Sequence, residues 1–212
     1  MMIIDFEKYK LSEGNFYLTE SKKTQIVLGN TFNDGMSHVN GWVHRNLGEY
    51  KRTSTFSINR KGIIYQHYDP IYYSDFIDNK YQDKKIISIL IENRGWLLKD
   101  SLNNKYIDWV GNIYNKKISI LEKRWRGYSY WEPYTNKQLN STIELVNYLC
   151  DKYNIKSSVV GHNTYIEDIS LHEGIAFRSN YSKYMTDLNP AWDYINFKNK
   201  IEEKNEKNEF TR

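Results

Sequence analysis

The sequence has a single cysteine and no apolar run long enough to cross a membrane. One cysteine, Cys150, forms no intramolecular disulfide and excludes a zinc site built from several cysteines. The longest apolar run, residues 86–91, is far shorter than the roughly 20 residues of a membrane-spanning helix. Residues 1–7 lack both the basic segment and the long apolar segment of a signal peptide, so none is predicted.

Alanine is also scarce. It occurs only at Ala176 and Ala191, whereas Asn, Lys, Ile and Tyr are abundant. Because the abundant residues have AT-rich codons, we predict an origin in an AT-rich genome, such as those of many phages or of some host-dependent bacteria.

The rest of the composition predicts a folded chain. Of the 212 residues, 40% are hydrophobic and 16% are aromatic, which is enough to form a core. The net charge of +4 is spread thinly, so nucleic acid is not an expected partner. We predict one domain over residues 1–197. Residues 198–212 alternate Lys, Glu and Asn, which predicts a frayed helix or a disordered tail.

The pattern of apolar residues predicts several short strands. Residues 25–28 and 86–91 form apolar runs that are typical of buried strands, and the second run is expected to be central. Residues 53–59 and 63–68 flank a turn signal and predict a hairpin. A last short strand is predicted at residues 158–160.

One helix has a clear sequence signature. Thr135 and Gln138 fit a capping box, and an apolar stripe with helical spacing follows them. Cys150 lies on this stripe and is therefore expected to be buried rather than nucleophilic. Residues 93–134 hold four of the six tryptophans, follow no clear pattern and are expected to be irregular. The predicted fold class is α/β (α+β), with a central mixed β-sheet flanked by helices.

Common catalytic motifs are absent, but the order of the apolar segments is informative. No G-x-x-x-x-G-K-[ST], H-E-x-x-H or G-x-S-x-G motif occurs. Four segments instead follow one another in a recognisable order: Ile26-Val27-Leu28 before Asn30-Thr31, Ile58-Asn59-Arg60-Lys61-Gly62-Ile63-Ile64-Tyr65-Gln66, Ser88-Ile89-Leu90-Ile91-Glu92 and Thr186-Asp187-Leu188-Asn189-Pro190-Ala191-Trp192. This order resembles the type-2 N-acetylmuramoyl-L-alanine amidase, or peptidoglycan-recognition, family, which includes amidase-type phage lysozymes. The resemblance covers residues 22–197.

The resemblance implies a fold, a substrate and a metal. Members of the family have a central sheet with helices around it and a groove for a muramyl peptide. They cut the amide bond between the lactyl group of N-acetylmuramic acid and L-alanine. The reaction uses a zinc ion held by three protein ligands, with water at the fourth position.

The zinc ligands that the resemblance implies are mostly missing. The first family histidine of the H-H-T motif is replaced by Gly29, which offers no ligand. The second histidine lies nine or ten residues before the final aspartate, and nine residues before Asp187 stands Arg178. A guanidinium has no lone pair to give to a metal. Asp187, the third ligand, is retained, while the lysine often found two residues earlier is Met185.

Three interpretations follow from these departures. In the first, the zinc site is degenerate, Arg178 pairs with Asp187, and the protein binds peptidoglycan without cutting it. In the second, His162 replaces a lost ligand beside Asp187, and the protein is an atypical active zinc amidase. In the third, the resemblance is misleading and the chain is unrelated. Zinc is expected only if the protein is active.

Further candidate residues follow from the resemblance. Glu92 ends the central strand, where the family places a catalytic glutamate, although it could equally pair with Arg94 as a structural residue. Five residues are candidates for substrate binding, although the aromatic segment around Trp131 could instead pack onto the body: Asn30, Thr31, Arg178, Asn180 and Trp131.

The expected partners and location follow from the same resemblance. The partner is peptidoglycan or a muramyl peptide, and other virion proteins are further possible partners. A third class of function is a virion structural or regulatory protein that reuses the fold. Without a signal peptide, the protein is expected in the cytoplasm of an infected host or in a virion.

Overall fold

The chain forms two β-sheets with helices around them, over the residues that the computed structural model describes, 2–102 and 104–209. The strands are β1 Ile4–Asp5, β2 Gln25–Asn30, β3 Phe56–Ile58, β4 Ile64–Gln66, β5 Ile86–Ile91, β6 Trp96–Asp100, β7 Lys105–Ile107, β8 Ile113–Tyr114, β9 Ser119–Trp125, β10 Tyr128–Trp131 and β11 Gly174–Phe177. The α-helices are α1 Ser37–His44, α2 Lys80–Asp83, α3 Asn136–Tyr153, α4 Arg178–Tyr181 and α5 Tyr194–Glu209.

The main sheet has the strand order β1-β4-β3-β5-β2-β11. Strands β3, β5, β2 and β11 run parallel to one another, while β3 and β4 form the antiparallel hairpin predicted from the sequence. Every residue of β2 and β5 is buried, as expected for strands in the middle of a covered sheet. The predicted central mixed sheet is thereby confirmed.

The two faces of the main sheet bury different helices. Ile26 and Leu28 of β2 face α3 and α5, whereas Val27 between them faces α1. Helix α3 begins with the predicted capping box, in which the Thr135 hydroxyl accepts the Gln138 N–H and the Gln138 side chain accepts the Thr135 N–H. The sheet is therefore covered on both sides, and its carboxyl edge is left for a site.

Residues 93–134 are not irregular, because half of them are strand residues of the second sheet. Its strand order is β8-β7-β6-β10-β9, and all its pairings are antiparallel. The strands are short, and the register shifts between Tyr128 and Tyr130, which explains why no alternating pattern is visible. Glu132 ties this sheet to the body: it accepts the Arg94 N–H at 2.5 Å and pairs with the Arg60 guanidinium at 2.8 Å.

Two other expectations are corrected near the C-terminus. The predicted strand at residues 158–160 is reduced to a single bridge between Val159 and Ile175, and the strand that completes the main sheet is β11. The predicted boundary at residue 197 falls inside α5, whose Ile201 is fully buried in the core. None of the described helices has the length and apolar content needed to cross a bilayer.

Candidate functional site

The carboxyl edge of the main sheet gathers most of the candidate residues. Because β2, β5 and β11 are parallel, their last residues meet at the same edge. Gly29 and Asn30 end β2, Glu92 follows β5, and Arg178 follows β11. Asp187 reaches this edge from the loop before α5. Its carboxylate accepts the Asn30 N–H at 3.0 Å.

Arg178 and Asp187 form an ion pair at this edge. The distance between Arg178 Nη1 and Asp187 Oδ2 is 3.3 Å, and the Asp187 side chain is fully buried. Burial raises the pKa of the Asp187 carboxyl, while the Arg178 guanidinium, the Asn30 N–H and the Arg126 guanidinium oppose that increase. The pair is the one that the first interpretation of the sequence expects.

Gly29 lies directly against this ion pair. A Cβ atom added to Gly29 would lie 2.5 Å from Cδ of Arg178 and 2.6 Å from Oδ2 of Asp187. Both distances are shorter than any ordinary nonbonded contact. The space that a side chain at position 29 would need is therefore filled by the arginine and the aspartate.

The residues at this edge do not fit a zinc ion. Zinc sites use thiolate, imidazole and carboxylate ligands, and catalytic sites need three of them. Here Asp187 supplies one carboxylate, Gly29 supplies nothing and Arg178 supplies a cation. Within residues 2–102 and 104–209, no three His, Cys, Asp or Glu side chains lie close enough together to hold a metal.

His162 has packing and backbone partners rather than carboxylate partners. Its Nε2 lies 3.2 Å from the carbonyl oxygen of Leu188. Its ring stacks on Tyr194 and contacts Phe177, and burial lowers its pKa to about 4. These contacts hold the segment after Asp187 against β11, and they do not join His162 to a second ligand.

Both carboxylate oxygens of Glu92 accept hydrogen bonds from backbone N–H groups. Its Oε1 accepts the Gly35 N–H at 2.7 Å and its Oε2 accepts the Arg60 N–H at 2.9 Å. The side chain faces a different cavity from the one that Arg178 lines. The expected alternative, a pair with Arg94, is not present, because Arg94 pairs with Asp34 and Asp108. Glu92 therefore fastens the loop after β2 to the hairpin.

The other predicted binding residues are largely enclosed. Trp131 is fully buried between the rings of Trp125 and Tyr128, so it cannot stack on a ligand as expected. Asn180 is also fully buried, and its side chain bonds only to backbone groups. Thr31 is buried and uses its hydroxyl in the turn that it forms with Asn33.

Asn30 is held in place by a tyrosine that the sequence does not single out. The Tyr134 hydroxyl donates to Oδ1 of Asn30 and accepts the Asn189 N–H at 3.3 Å. Among the described residues, Nδ2 of Asn30 and Oδ1 of Asp187 are buried and have no hydrogen-bond partner. The capping box begins one residue after Tyr134, and this is the only local signal for its position.

A cavity of about 480 Å³ opens next to the ion pair. Asn30, Thr31, Arg178 and Met185 belong to its lining. The lining also includes aromatic and charged side chains: Trp42, Tyr50, Phe76, Arg45, Arg52, Asp75 and Asp78. A mixed polar and aromatic groove of this size can bind a small peptide or a sugar.

His38 lines this cavity and is held by a chain of hydrogen bonds. His67 Nδ1 donates to the Tyr9 carbonyl oxygen at 2.8 Å, so its Nε2 must accept from the Ser57 hydroxyl at 2.7 Å. Ser57 in turn accepts from Nε2 of His38 at 3.2 Å, which leaves Nδ1 of His38 as a buried acceptor without a partner. The spacing of the histidines in the sequence gave no sign of this chain of bonds.

One known protein family matches most of this sequence. The model of the family described as Amidase_2, N-acetylmuramoyl-L-alanine amidase, matches residues 20–174. Gly29 and Glu92 lie within the matched residues, whereas Arg178 and Asp187 follow them. No curated protein matches this chain significantly.

Solved structures share the fold at low sequence identity. The N-acetylmuramoyl-L-alanine amidase LysC from Clostridium intestinale URNW is 16% identical, with a TM-score of 0.56 over 95% of this chain and 99% of LysC. The amidase AmiD from E. coli, solved with the substrate anhydro-N-acetylmuramic acid-L-Ala-D-gamma-Glu-L-Lys, is 14% identical. Its TM-score is 0.57, over 87% of this chain and 59% of the AmiD chain.

Proposed function

The chain belongs to the N-acetylmuramoyl-L-alanine amidase family, and from this membership we propose that it binds peptidoglycan or a muramyl peptide without cleaving it. The groove beside Arg178 is the proposed binding site. The protein is thus a catalytically degenerate member of its family.

One observation carries this proposal, namely the Arg178–Asp187 ion pair packed against Gly29. Amide hydrolysis in this family depends on a Lewis acid that polarises the carbonyl and activates water. A guanidinium can donate hydrogen bonds to a carbonyl oxygen, but it cannot lower the pKa of a bound water as a metal does. Glu92 cannot replace that function, because both its oxygens accept backbone N–H groups.

The groove keeps features that suit a muramyl peptide. Arg178 is partly exposed and lines the cavity, where it could meet the carbonyl or carboxylate groups of a ligand. Trp42, Tyr50 and Phe76 offer ring faces and edges for a sugar or for apolar side chains. Asp75 and Asp78 could meet the amino groups of a stem peptide.

The test measures binding and cleavage on the same material. Purified protein is incubated with insoluble peptidoglycan with and without added zinc, the bound fraction is measured after sedimentation, and released peptides are analysed by mass spectrometry. We expect binding without new lactyl carboxylates or free L-alanine amino groups. Zinc-dependent release of stem peptides would instead establish an active amidase, and the absence of binding would contradict the proposal.

A matched pair of variants locates the binding site. Arg45→Ala changes an exposed cation that lines the groove. Lys152→Ala changes an exposed cation on α3 that does not line it. We expect Arg45→Ala to weaken sedimentation with peptidoglycan and Lys152→Ala to leave it unchanged. Equal effects would place binding outside the groove.

The biological setting is a further part of this proposal. The scarcity of alanine and the abundance of residues with AT-rich codons support a phage or phage-derived protein. Such a protein would reach the cell wall after host lysis or as a component of a virion. Antibody detection in purified particles, compared with the lysate, would separate these two routes.

A further inference from the structure

The second sheet carries a net positive charge. Residues 96–131 contain seven Lys or Arg and three Asp or Glu, an excess of four, which equals the net charge of +4 of the whole chain. The remaining residues therefore balance to zero.

The cations of this sheet point to solvent, whereas its carboxylates are mostly engaged. Asp108 is buried and pairs with Arg94 at 2.9 Å, and Asp100 accepts the Leu102 N–H. Six cations of the sheet and its loops are exposed: Lys99, Lys105, Lys116, Lys117, Lys123 and Arg124. Lys116 pairs with Asp34 at 3.5 Å, and Glu122 on β9 is an exposed carboxylate. The sheet consequently presents a basic surface that its own acids do not neutralise.

Two of these cations flank a groove with a tyrosine floor. Lys99 on β6 and Arg124 on β9 line a shallow cavity of about 300 Å³ on either side of β10, together with Tyr128, Ser129 and Tyr130. Since β10 separates the two strands, the cations project from backbones roughly 9–10 Å apart. Neither cation forms an ion pair within the described residues.

We propose that this groove and the basic surface around it bind a linear anionic polymer of the cell wall, with one phosphate per polyol repeat. The cations would contact the phosphates, and the tyrosine rings would cover the apolar faces of the polyol units. This inference rests on the proposed function, because that function brings the protein to the cell wall.

The position and the rings of the sheet favour this polymer over nucleic acid. Arg126, at the turn between β9 and β10, donates to the carbonyl oxygens of Ser179 and Ser182 at 2.8 and 2.7 Å. The basic surface is therefore joined to the segment that carries Arg178, beside the proposed muramyl-peptide groove. The rings of Trp96 and Tyr128 stack on each other with centroids 4.2 Å apart, so they leave no continuous platform on which successive nucleobases could stack, whereas a polyol unit is small enough to contact a single ring.

The experiment compares binding to poly(glycerol phosphate), to single-stranded DNA and to peptidoglycan stripped of its anionic polymers, each over a range of salt concentrations. The double variant Lys99→Gln/Arg124→Gln is matched by Lys137→Gln/Lys152→Gln, which removes the same charge from exposed positions on α3. We expect the first variant to bind poly(glycerol phosphate) about tenfold more weakly, with a reduced salt dependence. We expect its retention on stripped peptidoglycan to be unchanged.

The possible results separate this inference from the proposed function. Retention on stripped peptidoglycan without binding to poly(glycerol phosphate) would overturn the inference and leave the proposed function intact. Polymer binding without retention on stripped peptidoglycan would support the polymer site on the second sheet. It would contradict the proposed muramyl-peptide site beside Arg178. Equal losses in both double variants, or tighter binding to single-stranded DNA than to poly(glycerol phosphate), would overturn the inference.

Discussion

The backbone of Gly29 lies against the Arg178 side chain, so closely that a Cβ atom at Gly29 would come within 2.5 Å of Cδ of Arg178. Arg178 in turn pairs with the buried Asp187. Glycine, arginine and aspartate therefore depend on one another, and a histidine cannot be introduced at position 29 while Arg178 keeps its place. This mutual dependence is the structural basis for the proposed loss of catalysis.

Gly29→Ala should destabilise the protein. The added methyl group must displace Arg178 or Asp187, and overpacking of this kind costs about 1–3 kcal/mol. The matched control is Gly41→Ala in α1, where no atom lies within 4 Å of an added Cβ. That change should stabilise the protein by about 0.5–1 kcal/mol, because alanine favours the helix. Urea unfolding measures both, and equal effects would contradict the close packing described at Gly29.

Arg178→Met should be strongly destabilising near neutral pH. It leaves the fully buried Asp187 carboxylate without its counterion, a change that typically costs about 3–5 kcal/mol. Arg52→Met is the control, because Arg52 and Asp78 form an exposed ion pair with side chains 60% and 65% accessible. Such a pair contributes about 0–1 kcal/mol. A similar small loss for both variants, measured by urea unfolding, would show that Asp187 does not depend on Arg178.

The protein should lose stability as the pH falls below about 6.5. Burial lowers the pKa of His67 to about 4, while an unfolded histidine takes up a proton near pH 6.5. Between these values the unfolded state binds more protons, so acid favours unfolding. His67 alone should account for about 2 kcal/mol of the loss between pH 7 and pH 5. His38, whose pKa burial lowers to about 3, adds a loss of the same sign.

His67→Gln tests this assignment. The variant is expected to be less stable than the parent at pH 7, because Ser57 and the Tyr9 carbonyl lose their partner. Its further loss between pH 7 and pH 5 should be smaller by about 2 kcal/mol. An unchanged pH dependence of the unfolding free energy would rule out His67 as its source.

Trp131→Ala should act through stability and not through ligand binding. Trp131 is fully buried in the second sheet, and truncation of such a ring costs about 3–5 kcal/mol. Trp109→Ala is the control, because Trp109 is half exposed and loses mainly a hydrogen bond from its Nε1 to the Phe32 carbonyl oxygen, about 1 kcal/mol. Thermal unfolding compares the two. A stable Trp131→Ala protein with weakened peptidoglycan binding would restore the role expected from the sequence.

Features that depend on residues close together in the chain can be predicted from the sequence. The hairpin and the capped helix α3 follow local rules of turn and capping chemistry, so they could be predicted. The Arg178–Asp187 pair could be anticipated because Arg178 lies nine residues before Asp187, where the resemblance places a histidine nine or ten residues before the aspartate.

Other features depend on contacts between distant residues. The second sheet is built from strands of two to seven residues with a register shift, which leaves no alternating pattern to detect. Trp131 is buried because the rings of other strands, such as that of Trp125, pack against it. The role of Tyr134 depends on Asn30 and Asn189, which are distant in the sequence. Glu92 occupies the expected strand end, but its partners come from two loops that the sequence does not bring together.

Zinc binding distinguishes a degenerate amidase site from an active one. Protein purified without chelators is analysed for metal content and titrated with zinc by calorimetry, beside His162→Ala and Asp187→Asn. We predict no stoichiometric zinc in the parent protein and no tight zinc site in the titration, because Asp187 pairs with Arg178, and a guanidinium cannot be a metal ligand. One tightly bound zinc per chain that is lost in both variants would contradict this account and establish His162 and Asp187 as ligands of an active metal centre.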